Sequence, residues 1–176
     1  VIIQAQENSD VGRDITVAST ASLESTYSNV QLLAGDNITL EAGSSVVAET
    51  TVELFADYQN DDASGTTITI HGTINGSLVH VAGDSETDTI TTTTLNQTGI
   101  TVIEGRGSSD VLATTGVNTI LTPVVFYGDL ALLQLDTEES RLVEISATQP
   151  NDGDDDADKD SDDDEIGEGT RIYHQD

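Results

Sequence analysis

The chain has 176 residues, 33 of them acidic and 5 basic, giving a formal charge of −28 at pH 7. Eleven acids and Lys159 lie between Asp152 and Glu168, which leaves −18 on the remainder; so acidic a body repels phosphate backbones and anionic lipid, arguing against nucleic-acid binding and membrane insertion. With no Cys, Met or Trp and 3 % aromatics, the interior must be Val, Ile, Leu and Ala, which suits a narrow β interior better than a globular core filled with rings.

The chain opens in the apolar segment Val1-Ile2-Ile3 rather than in a basic-then-apolar leader, as expected of a piece of a longer protein. No apolar run approaches the length of a transmembrane helix. Short segments follow in which Val, Ile or Leu alternates with a polar residue. Gly12-Arg13-Asp14-Ile15-Thr16-Val17, Gly35-Asp36-Asn37-Ile38-Thr39-Leu40 and Thr67-Ile68-Thr69-Ile70-His71-Gly72 are clear copies, as is Gly99-Ile100-Thr101-Val102-Ile103-Glu104-Gly105. Alternation of period two buries one face of a strand and leaves the other wet. Strands are predicted near Ile2, Thr16, Leu23, Leu32, Thr39, Val47, Leu54, Thr69, Val79, Thr91, Val102, Ala113, Leu121, Leu133 and Glu144, with Gly and Asn at the breaks. Leu130 to Ile145 could be drawn as a helix, but Leu133, Gln134, Leu135 and Asp136 alternate, which favours two strands joined at Asp136–Ser140.

Steps of about ten residues fit either successive hairpins or strands wound into a coil. Asn75-Gly76 is the one good hairpin turn, so a β-sandwich is the rival architecture. A pattern Gly-x-x-x-x-Asp-x-(Ile/Leu) recurs 22 residues apart, at Gly83…Asp88-Thr89-Ile90 and Gly105…Asp110-Val111-Leu112. One winding of a parallel β-helix takes about that many residues, which would stack equivalent positions about 4.8 Å apart. The expected fold is therefore all-β, a β-solenoid over residues 1–148. From Pro150 the character changes, and residues 149–176 read as an acidic tail, linker or start of a next module.

The stretch from Asn29 to Ala56, with Gly35-Asp36-Asn37-Ile38-Thr39-Leu40 followed by Ala42-Gly43-Ser44, resembles the repeats of filamentous-haemagglutinin-like adhesins and related large bacterial exoproteins. That resemblance covers residues 11 to 125. It implies a right-handed parallel β-helix, an extracellular or cell-surface location, and a structural or adhesive role beside adjacent modules of the same longer chain. Partners of the adhesive role would be surface glycans or proteins. The pair of Gly-x-x-x-x-Asp segments also resembles a degraded calcium-binding nonapeptide of RTX proteins, with Gly83 and Gly105, Asp88 and Asp110, Ile90 and Leu112 in matching places. The later glycines of that motif are replaced here by Asp84 or Arg106 and by Glu86 or Ser108, which removes turns that would present carbonyls to the ion.

Asp154, Asp156, Asp158, Asp160 and Asp162 alternate along the acidic run. Ca2+ is a hard cation that takes six to eight oxygens, and this spacing can place alternate carboxylates round one centre. The run resembles the Asp-rich calcium linkers of thrombospondin type 3 modules; an EF-hand loop does not fit, because its central Gly and following apolar residue are missing. A solvated acidic linker, or acidity suited to a saline habitat, is the competing reading. His71 and His80 are expected on outward positions, with Ile70, Val79 and Val81 inward, and could meet on a metal only if their strands were neighbours. A carbohydrate-active β-helix enzyme is the alternative function, and would need a groove of converging carboxylates. With six aromatics and four Arg, the chain has little from which to build sugar platforms or to polarise a uronate, so the expectation is a non-enzymatic protein.

Overall fold

The computed structural model describes residues 1–5, 13–58, 64–93, 98–114, 123–128, 130–132 and 143–146. The chain winds through short strands. The first three windings hold three each: β1 (Ile2–Ala5), β2 (Ile15–Val17) and β3 (Ser22–Ser25); β4 (Val30–Ala34), β5 (Ile38–Leu40) and β6 (Ser45–Ala48); β7 (Thr51–Phe55), β8 (Thr67–Ile70) and β9 (Thr73–Asn75). Later windings hold two among the described residues: β10 (Leu78–Ala82) and β11 (Thr89–Thr92), β12 (Ile100–Glu104) and β13 (Val111–Thr114), β14 (Val124–Tyr127) and β15 (Leu130–Leu132), ending in β16 (Val143–Ser146).

Each strand pairs with its counterpart one winding away, never with its sequence neighbour. Three parallel sheets result: β1-β4-β7-β10-β12-β14-β16, then β2-β5-β8-β11-β13-β15, and β3-β6-β9. This is a parallel β-solenoid, with no helix among the described residues. The β-sandwich alternative is not what forms, since every described pairing is parallel. Asn75-Gly76, the hairpin candidate, is instead a corner: β9 and β10 on its two sides belong to different sheets. The Leu121 and Leu133 positions lie outside the described residues, while strands occur close by at β14 and β15.

Register explains the aliphatic composition. Inside the first sheet, Val30, Val52, Val79, Thr101 and Val124 lie one above another, and beside them Leu32, Leu54, Val81, Ile103 and Phe126. The second sheet contributes the column Ile15, Ile38, Ile68, Ile90, Leu112. All are buried. Burial of one such aliphatic side chain is worth about 1.5–3 kcal/mol, and like residues stacked at the strand spacing fill most of the lumen, with the Phe126 ring at the end of one column.

The 22-residue recurrence is the winding length from β8 to β11 to β13, where Ile68, Ile90 and Leu112 share one column. Some earlier windings are longer because their connections are: Gly35 to Asn37 suffice between β4 and β5, whereas residues 56–66 join β7 to β8. Windings of unequal length stay in register because the ladders fix the strands and the connections take up the difference.

Candidate functional site

The predicted pair Asp88 and Asp110 stands at the corner between the first and second sheets. Both side chains are buried, at 0 % and 2 % exposure. The reason lies in backbone groups that the corner leaves without ladder partners. Asp88 Oδ1 accepts from the Thr66 N–H of the preceding winding at 2.8 Å, and Oδ2 accepts from the Asp84 N–H at 2.9 Å. The Asp88 N–H in turn donates to Asp110 Oδ1 of the following winding at 2.9 Å. The Asp88 carboxylate thus closes its own turn and ties back to the winding before it, and Asp110 ties back in the same way. Buried backbone N–H groups must find such acceptors. Burial pushes the Asp88 carboxyl above its ordinary range, a shift opposed by the N–H groups of Thr66 and Asp84. Asp84 is raised as well, by burial and by neighbouring Glu86, against the pull of Arg106.

The glycine five residues before each Asp has a steric cause. A Cβ on Gly83 would lie 1.8 Å from Asp88 Oδ2, and one on Gly105 1.9 Å from Asp110 Oδ2. Only a residue without a side chain lets the carboxylate fold over it. At the second corner the left-handed backbone occurs one and two steps later, at Arg106 (φ 64°) and Gly107 (φ 84°). The Gly-x-x-x-x-Asp pattern therefore encodes a carboxylate latch at a solenoid corner. Among the described residues, no group of three or more His, Asp or Glu side chains is placed to hold a metal ion. Asp154, Asp156, Asp158, Asp160 and Asp162 lie outside the described residues.

Nearer the amino end, side chains at the same corner reach the other way. Asp14 Oδ1 accepts from the Asn37 N–H at 3.1 Å and from Asn37 Nδ2 at 3.0 Å, and Asn37 Oδ1 accepts from the Thr67 N–H at 2.8 Å. Here the earlier winding supplies the acceptor and the later one the donor.

A second cluster lies on the outer face of the first sheet. His80 sits between the inward pair Val79 and Val81, and Ile70 before His71 is likewise buried, as the alternation predicts. The two histidines belong to different sheets and do not meet: His71 Nδ1 lies 2.7 Å from Thr93 Oγ1, while His80 Nε2 lies 3.2 Å from Glu104 Oε1. Arg106 Nε donates to Glu104 Oε2 at 2.8 Å. Its guanidinium carbon stands 5.1 Å from the centre of the Phe55 ring, and Phe55 meets the His80 ring edge-on at 5.2 Å. Four side chains from three windings therefore close a ring. His80 and then Arg106 outweigh burial and hold the Glu104 carboxyl down at about 2. In the adjoining winding Glu53 is the register partner of His80 and accepts from Gln31 Nε2. Sequence reasoning singled out His80 but not its partners. Glu104 and Arg106, two apart on one face, were the available signal; their contact with His80 requires the register between β10 and β12.

Comparison with protein-family models, with curated proteins and with solved structures gives no match. The fold defines the class, a parallel β-solenoid whose conspicuous polar residues close corners and clip windings together.

Proposed function

We propose that this chain is a structural, adhesive segment of a large secreted or cell-surface bacterial exoprotein. The observation that carries the reading is the unbroken parallel ladder through seven strands of the first sheet, a one-dimensional stack in which each winding contacts chiefly its neighbours. Such a stack transmits force along its axis and presents outward side chains at a fixed spacing, which is what a stalk needs. The Gly-Asp-Asn-Ile-Thr-Leu style of repeat supports a surface location. Antibody raised against the chain should label intact source cells or their culture medium. Confinement of the label to permeabilised cells would sink the surface assignment.

The alternating Asp154, Asp156, Asp158, Asp160 and Asp162 bind Ca2+ in this proposal and stiffen the junction to the next module. Calorimetry on the full chain should show Ca2+ uptake at fixed ionic strength that disappears on deleting residues 152–165. Uptake unchanged by the deletion would move the ion elsewhere.

A further inference from the structure

The outer face of the second sheet differs in kind from that of the first. Alternation turns Ile15, Ile38, Ile68 and Ile90 inward, and so sends Thr16, Thr39, Thr69 and Thr91 outward, in one register column on β2, β5, β8 and β11. Two residues earlier on each strand, Asn37, Thr67 and Thr89 form a parallel outward column. The six threonines are exposed or half-exposed. On a chain of charge −28, neither column carries an ionisable side chain from β5 to β11. Asp14 stands at one end of this face, and Val111 and Ala113 at the other. The first sheet, by contrast, turns Glu53, His80 and Glu104 outward.

The net formed by these hydroxyls and methyls has fixed dimensions. Neighbouring strands lie about 4.7–4.9 Å apart, and residues i and i+2 about 6.6 Å apart along a strand. Threonine is β-branched and stiff at χ1, so each hydroxyl and methyl is held rather than averaged. Both spacings approach the two orthogonal oxygen repeats on the prism face of hexagonal ice. Methyl groups restrict water in the troughs between columns while hydroxyls anchor it, and no strongly hydrated charge lies within the two columns, Glu41 and His71 being exposed beyond their edge. The ladder beneath has already met the ordering cost. We propose that this threonine face binds ice, its ligand being the crystalline surface of water.

The test uses the full chain in ice-affinity partitioning, with growth of a single ice crystal followed by microscopy. Wild type should be taken into slowly growing ice several-fold above an inert protein of similar size, and should facet the crystal. The variant T69K/T91K, which changes only outward positions, should lose that enrichment with its circular dichroism and melting temperature retained. T69S/T91S, which keeps the hydroxyls and removes two methyls, should lose most of it. Glu24→Lys, exposed on the third sheet, should leave it unchanged. Exclusion of folded wild type from ice, or equal uptake of folded T69K/T91K, would overturn the proposal. Neither result depends on where the chain resides in a cell, so this test and that of the surface assignment fail separately.

Discussion

At the scale of single residues, the corner carboxylates show how a close contact fixes two sequence positions at once. Gly83→Ala places a Cβ within bonding distance of Asp88 Oδ2, so it should cost about 2–3 kcal/mol by urea denaturation. In a double-mutant cycle Asp88→Ala should remove most of that penalty, because the clashing atom goes with it. Additive losses would show that the carboxylate is not what excludes a side chain at position 83. Glu104 sets a pH dependence of definite sign. Its folded-state pKa of about 2 lies below the ordinary 4.5, so its contribution is present above pH 4.5 and lost as pH falls towards 2. Melting temperatures from pH 6 to 2 should fall less steeply for Glu104→Gln than for wild type. Asp88 has the opposite sign. Its raised pKa gives a contribution complete below the ordinary carboxylate value and lost as pH rises through the folded one.

At the scale of the element, the columns predict which core changes are tolerated. Thr101 occupies the column Val52, Val79, Val124, wholly buried, and its Oγ1 has no hydrogen-bond partner among the described residues. Thr101→Val should raise stability by about 1 kcal/mol, since an unsatisfied buried hydroxyl is replaced by the methyl its stack-mates carry. A loss on chemical denaturation would show that this hydroxyl is satisfied after all. Ile68→Ala, in the middle of the isoleucine column, should cost about 2–5 kcal/mol in the same measurement. Much of this architecture was legible in the sequence. Period-two alternation identified most strands and their inward residues, and one 22-residue recurrence gave the winding length where the connections are short. The last strand of the third sheet was not legible, because β9 is a three-residue strand between Gly72 and Gly76 that reads as part of a turn. Nor was the clip of Phe55, His80, Glu104 and Arg106, which depends on the register of strands more than twenty residues apart. The Gly-x-x-x-x-Asp spacing was visible; that the glycine makes room for a carboxylate rather than for a left-handed turn required coordinates.

For the molecule as a whole, charge and topology act against each other. Parallel stacking brings like-charged windings to within about 4.8 Å on a body of net charge −18, while the ladders and aliphatic columns hold them there. The melting temperature should rise with NaCl from 0.1 to 1 M as screening shortens from about 10 to about 3 Å. A flat or falling salt response would show that self-repulsion does not limit stability.

The opposed latches at the first corner also bear on the order in which the chain closes. Asn37 reaches forward to the Thr67 N–H, and Asp88 reaches back to the Thr66 N–H, so two consecutive amides are clasped from windings on opposite sides. The Thr67 clasp forms once β5 lies beside β8 and the Thr66 clasp once β11 does, which makes the entry to β8 a keystone between segments laid down before and after it. Amide exchange at Thr67 should then be released by opening of β5 from β8 and that at Thr66 by opening of β8 from β11, so fraying from the amino end should expose Thr67 before Thr66 and fraying from the carboxyl end the reverse.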